Sequence, residues 1–409
     1  MLLLLINEAY KTRNIYIILG KSIVDSEKYR NFATKSKHMA KDRIQINPQT
    51  IINAITRAGF KEDEFLDKHD DVRAWIEGEK DPTPKQLEKF AEQVYLPFGY
   101  LFMDKFPTEK SPIPFFRTVS ASHHFNLNIY DAIMSLQRRQ DWMIDYMEEN
   151  EMDGPAFIGK YKNSTDVNAI VNEIRILLEL APDWAFTLAS PDKAVVELVK
   201  KIENAGCYVN FQSFVGNQNK RKIPVEDCRG FVLVDKKAPF IFINNNDSKN
   251  AQVFTLIHEF AHILIDFSAG VGLKYDDVDN GQEDICDQVA AAVLVEDNTL
   301  RRLWNEGIMK LSRKFKVSSI VIARRAMDIG LLTKEEFFAY YNKVKDLRPA
   351  PKKNRDGGNF YATALHRIGY SFLVHIRNAI NSNQLLYRDA YALTGYSGNT
   401  FNKLVFEKL

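Results

Sequence analysis

Between residues 251 and 269 the chain is apolar on nearly every side of a helical wheel, Val253-Phe254-Thr255-Leu256-Ile257 and then Ile263-Leu264-Ile265, with no Pro or Gly. That pattern predicts a helix buried all round. A second run, residues 281–295, repeats Ile285, Cys286, Val289, Ala292 and Val293 at helical spacing. It predicts a second packed helix. Three short β-branched and aromatic runs at 206–214, 229–235 and 239–244 read as strands, with Lys236-Lys237-Ala238 as a hairpin turn between the last two, and together they predict a small antiparallel sheet. Elsewhere the periodicity is helical. Residues 47–104 read as a run of short helices opened by Asn47-Pro48, an N-cap followed by a first-turn proline. Residues 131–150 predict a long amphipathic helix, 166–204 further helices, 311–330 a helical pair, and 359–409 a compact helical end with Phe372, Ile376 and Ile380 as core. Proline breaks the pattern at 107–114, and Pro349, Pro351 and two glycines break it at 348–358. The expected class is α+β, mostly helical. Its expected parts are an extension over 1–38, a helical module over 39–106, a central domain with a helical tail over 115–345, a linker over 346–358 and a helical domain over 359–409.

Inside the first buried helix stands His258-Glu259-Phe260-Ala261-His262. Residues four apart on a helix share a face, so both imidazoles can reach one tetrahedral metal ion. In a chain of this composition the pattern arises by chance roughly 0.01 times. A surface helix with solvated histidines is the bland alternative, and the apolar flanks argue against it. In H-E-x-x-H sites the glutamate does not ligate; it takes a proton from the attacking water and passes it to the leaving amine.

Catalytic zinc keeps three protein ligands, so a third must come from downstream. Glu283, in the first turn of the second helix, is the candidate, with Asp284 and Asp279 as competing acids and Asp276 and Asp277 read as loop solvation. Asp287 lies one turn beyond Glu283 and is placed to hold a ligand histidine by its other ring nitrogen. An oxyanion donor is also needed. Tyr275 is the first choice and Arg229 the second.

These residues resemble the ImmA/IrrE metallo-endopeptidases of bacteria and their mobile elements. The resemblance rests on Cys228-Arg229-Gly230-Phe231, Ile241-Phe242-Ile243-Asn244, Phe254-Thr255-Leu256-Ile257-His258-Glu259 and the run from Glu283 to Leu294, in the family's order. Asp287 stands where Asn is usual, and Glu296 where a proline is usual. The resemblance implies a minimal gluzincin-like peptidase that cleaves a regulatory protein, a repressor or antitoxin type encoded nearby. It also implies a helix-turn-helix-like module around Trp75-Ile76-Glu77-Gly78 and Pro82-Thr83-Pro84-Lys85-Gln86-Leu87, and a helical tail including residues 316–325.

Composition narrows the partners. With 55 basic and 53 acidic residues the net charge is +2, which makes no global demand for nucleic acid or membrane. The candidate recognition segment 61–75 carries six acids against Lys61, Lys68, His69 and Arg73, so a protein partner is favoured there over DNA. Arg138-Arg139 and Arg324-Arg325 read as solvated pairs, and His366 and His375 as structural. Cys207, Cys228 and Cys286 form no spaced pair, which suits reduced thiols and a cytoplasmic location. The leading apolar run, Met1 to Ile6, is too short for a signal peptide; Met39 is an alternative start. The expected cofactor is zinc, with manganese or cobalt able to substitute. The rival to a peptidase is a regulatory binding protein with a vestigial metal site.

Overall fold

The computed structural model describes residues 43–103, 115–116, 126–267, 270–271, 281–346 and 359–409. The expected extension, the linker at 107–114 and, apart from Asp346, the linker at 346–358 lie outside these residues. The chain divides into two compact units, residues 1–108 and 109–409.

The first unit is helical throughout its described part: α1 (Pro48–Arg57), α2 (Glu62–Leu66), α3 (Asp70–Ile76), α4 (Pro84–Gln93) and a 3-10 turn, Phe98–Phe102. Local chemistry sets its boundaries. The Asn47 side chain accepts from the Gln49 backbone N–H, and Thr83 and Gln86 form a reciprocal capping box at the start of α4. Ile51, Ile55, Trp75, Leu87 and Phe90 form a core of its own. Three of its basic residues form ion pairs: Lys61 with Glu64 at 2.9 Å, Arg73 with Asp67 at 2.8 Å, Lys80 with Asp71 at 3.5 Å.

The second unit opens with β1 (Phe115–Phe116), α5 (Leu127–Glu149), α6 (Val167–Leu177) and α7 (Pro191–Asn204). Then come β2 (Tyr208–Gln212), β3 (Gly230–Leu233), β4 (Phe240–Asn244), α8 (Lys249–Ile265), β5 (Gly270–Val271) and α9 (Gly281–Leu294). Four helices follow: α10 (Asp297–Leu303), α11 (Ile308–Phe315), α12 (Ser319–Asp328) and α13 (Lys334–Asp346). The chain's last helices are α14 (Phe360–Ile368), α15 (Tyr370–Asn381), α16 (Tyr387–Thr394) and α17 (Gly398–Asn402).

The sheet differs from the expected antiparallel one. Its order is β1-β5-β3-β4-β2, with β3 antiparallel to β4 and β5 but β2 parallel to β4, and β1 parallel to β5. The β3–β4 hairpin reverses the chain as expected. The reversal also leaves β4 running the same way as β2, and β4 inserts between β2 and β3, so the outer pairing must be parallel. The edge strand β2 is buried along its whole length beside α14.

Alternation along the strands sorts the two faces by residue type. Val209, Phe211, Val232, Ile241 and Ile243 face the cluster that holds α6, α7, α8 and α9. Tyr208, Phe231, Leu233, Phe240 and Phe242 face the opposite one, with α5 and the helices after residue 359. Residues 359–409, expected as a separate domain, therefore share a core with the sheet. Strands apolar on both faces need cover on both. Polar contacts join the same layers. Arg139, expected to be solvated, is buried, because its guanidinium donates to Asn210 Oδ1 of β2 at 2.7 Å and to the Leu393 carbonyl at 2.9 Å. Glu203 of α7 lies against the start of α15, with Oε1 3.6 Å from where a Cβ on Gly369 would stand. Gly369 opens α15 at φ +96°, where a Cβ would sit 2.7 Å from the Val209 carbonyl.

Candidate metal centre

Helix α8 is held at both ends. Ser248 caps its start by accepting from Ala251 N–H, and Asp266 closes it in the left-handed conformation. Backbone N–H groups of Gly159 and Tyr161 donate to the Ile263 and Leu264 carbonyls, so a preceding loop takes up the orphan acceptors of the last turn. Every residue from Thr255 to Ile265 is buried, as the apolar flanks predicted. Helix α9 packs against it. At the far end of α9, Arg175 from α6 donates to the Ala292 and Val293 carbonyls at 2.8 and 3.3 Å.

The packing brings three ligand-type side chains together: His258, His262 and Glu283 are all buried and form the one His/Cys/Asp/Glu cluster of metal-site type among the described residues. The two Nε2 atoms are 3.1 Å apart, His258 Nε2 is 3.3 Å from Glu283 Oε2, and His262 Nε2 is 3.2 Å from Glu283 Oε1. A tetrahedral zinc with bonds of about 2.0–2.1 Å would separate its ligand atoms by about 3.3 Å, so these residues fit such an ion. The second ring nitrogen of His258 is committed, with Nδ1 2.9 Å from Asp287 Oδ1. That contact turns Nε2 toward the centre.

The charges point the same way. Burial works against a charged His258, but its interactions with the Asp287 and Glu283 carboxylates, which accept from it, outweigh burial and raise its pKa to about 10. Burial likewise opposes ionisation of Glu283, yet its bonds to both histidines hold it well below the usual carboxylate range. Burial lowers His262. The carboxylates thus call for positive charge between them, which one proton on His258 answers in part and a divalent cation answers more fully. Glu259 is fully buried, and neither of its oxygens has a hydrogen-bond partner. Burial drives its pKa well up, His258 opposes this, and Glu283 and Asp287 add to it. A polar group in that condition costs stability unless something else occupies its lone pairs.

Of the competing acids, Asp284 is exposed on the other side of α9, while Asp276, Asp277 and Asp279 lie outside the described residues. So does Tyr275, the first choice as oxyanion donor. Arg229, the second, is partly exposed and paired with Asp247, Nε to Oδ2 3.6 Å. His366 stacks on Phe211 at 3.9 Å between centroids, and His375 meets Tyr146 and Tyr208 edge-on, both remote in role from the metal cluster. Sequence reasoning missed Arg175. Its position in the last turn of α6, among apolar residues, gave no hint of a partner on α9.

A helix-borne His-Glu-x-x-His completed by a carboxylate from the next helix belongs to the class of sites built for metal-assisted hydrolysis. Residues 202–327 match the family model described as the IrrE N-terminal-like domain (Peptidase_M78), so this part of the chain, under half of its length, is similar to that family. The match runs from the end of α7 through both ligand helices to α12. Residues 368–407 match a domain of unknown function, DUF8813. No curated protein matches the chain. Among the described residues no helix is long and apolar enough to cross a membrane.

Proposed function

We propose that this protein is a zinc-dependent endopeptidase acting on a specific regulatory protein of the repressor or antitoxin type, in the cytoplasm. The observation that carries the reading is the convergence of His258, His262 and Glu283 at 3.1–3.3 Å beside a buried glutamate with no hydrogen bond. His258 and His262 supply imidazole nitrogens, Glu283 a carboxylate oxygen, and Asp287 fixes the His258 ring. Zinc, or manganese or cobalt in its place, would polarise the scissile carbonyl and acidify water. Glu259 takes the proton of the attacking water at a carboxylate oxygen and delivers it to the leaving amine nitrogen. Tyr275 is the proposed donor to the oxyanion, with Arg229 as second choice, since it stands immediately before β3 and next to Gly230. A non-catalytic metal site needs no such base, and an unpartnered buried carboxylate would be a cost without return.

Residues 43–103 would dock the protein partner. Their helices pair Lys61, Arg73 and Lys80 with acids of the same unit, and the six acids of segment 61–75 oppose phosphate. Glu259→Gln keeps the shape but cannot accept the proton. It should keep zinc and fold while losing at least about 10²-fold in turnover of the neighbouring repressor or antitoxin-type protein, read by mass spectrometry of the fragments. Equal cleavage by both proteins removes Glu259 from the mechanism. Binding and gene regulation without cleavage by either would make the protein a regulatory binder with a vestigial site.

A further inference from the structure

Where β3 meets α8 the two backbones approach so closely that only glycine fits. Gly230 has an ordinary negative-φ strand conformation, so the need is for space and not for backbone freedom. A Cβ placed there would lie 2.5 Å from Thr255 Cγ2, 2.8 Å from Glu259 Oε1 and 3.1 Å from the Phe242 carbonyl oxygen. None of these neighbours can yield freely. Thr255 is tied by its hydroxyl to the Ala251 carbonyl at 3.0 Å, one turn back on α8. Phe242 O belongs to β4, which is in register with β3 through the pair Gly230–Ile243. Glu259 is fully buried one turn beyond Thr255 on the same face of the helix. Gly230 itself is pinned from the other side by β5, opposite Val271.

We infer that Gly230 is a positioning residue for Glu259: the bare backbone of β3 forms the wall against which the Glu259 carboxylate rests, and so sets where its oxygens stand relative to the three metal ligands. This rests on the reading of Glu259 as the base. None of the three atoms that a Cβ at residue 230 would meet belongs to His258, His262 or Glu283. A side chain there would leave the metal cluster whole and move the base.

Thr255→Ser separates the two clashes, because it removes Cγ2 while keeping the hydroxyl bonded to Ala251, so that Gly230→Ala on that background meets chiefly Glu259. The probe is acetohydroxamic acid binding to the zinc-loaded full chain, by calorimetry. Chelation requires the hydroxamate to give up a proton to a nearby carboxylate, so its affinity reports where that carboxylate is. Against Thr255→Ser, both E259Q/T255S and G230A/T255S should bind the hydroxamate at least about tenfold more weakly, the scale of a charged hydrogen bond, with zinc content unchanged. The triple variant G230A/T255S/E259Q should bind no more weakly than E259Q/T255S, since the two changes act through one carboxylate. Wild-type affinity in G230A/T255S, additive losses in the triple variant, or loss of zinc from G230A/T255S would each overturn the inference. An unchanged affinity in E259Q/T255S would instead overturn the reading of Glu259 as base.

Discussion

Residue by residue, the legible part of this protein was the chemistry that a helix forces into register. His258 and His262 share a face because they are four apart, and Glu283 was reachable as the acid in the first turn of the next packed helix. What remained illegible were contacts made across the fold. Arg139 looks like half of a solvated basic pair, and its burial depends on Asn210 and Leu393, far off in sequence. Gly230 was visible as part of a motif, but its reason lies in Thr255 and Glu259. Asp287 gives a prediction at this scale. Its Oδ1 fixes His258 through Nδ1, so Asp287→Ala should weaken zinc binding by about 10–100-fold in competition with a chelator. Asp287→Asn keeps an acceptor oxygen but not the charge, and should fall between alanine and wild type. An alanine variant with unaltered zinc affinity would show that packing alone holds the ring.

Elements were read well where one signal sufficed. The caps at Asn47, the long helix α5 and the β3–β4 hairpin all follow from local sequence. The mixed sheet did not, because the insertion of β4 beside β2 is a choice among partners and not a local preference. The strands carried a second, overlooked signal. In β3 and β4 both sets of alternate positions are apolar, aliphatic on one side and mostly aromatic on the other, which is the mark of strands covered twice. Helix α9 must be fixed for Glu283 and Asp287 to meet α8, and Arg175 closes its far end. Arg175→Ala should leave two buried carbonyls short of a donor and cost about 1–3 kcal/mol in urea unfolding. Arg175→Lys should recover part of that. A loss indistinguishable from zero would mean that water replaces the guanidinium.

Across the whole second unit, two buried groups tie stability to pH in opposite senses. Burial raises Glu203 to about 7 despite the opposing influence of Ser371, Val209 and Tyr370 beside it, so the folded state holds a proton that the unfolded chain releases near 4.5. Its contribution is present below 4.5 and lost as pH rises toward 7. Burial, with Lys249 nearby, lowers His366 to about 4 from 6.5, so its contribution is present above 6.5 and lost as pH falls toward 4. Each spans up to about 3 kcal/mol, and together they nearly cancel. Glu203→Gln should therefore raise stability at pH 7.5 and make it fall on acidification through the 6.5 to 4 window. His366→Gln should do the reverse, losing stability between pH 4.5 and 7. Urea unfolding at pH 5 and pH 7.5 reads both, and parallel curves for all three proteins would refute the pairing.

The sheet with its two dissimilar faces has a consequence for how the second unit comes apart. The aliphatic side touches the metal helix and the aromatic side touches the chain's final helices, but the same few backbone ladders carry both. Neither layer can melt alone without stripping one side of β3 and β4. Any ion gripped by His258, His262 and Glu283 thus lends its binding free energy to the closing residues as well. Phe372 and Phe401 touch no ligand, yet they are insured by the same bond as the histidines.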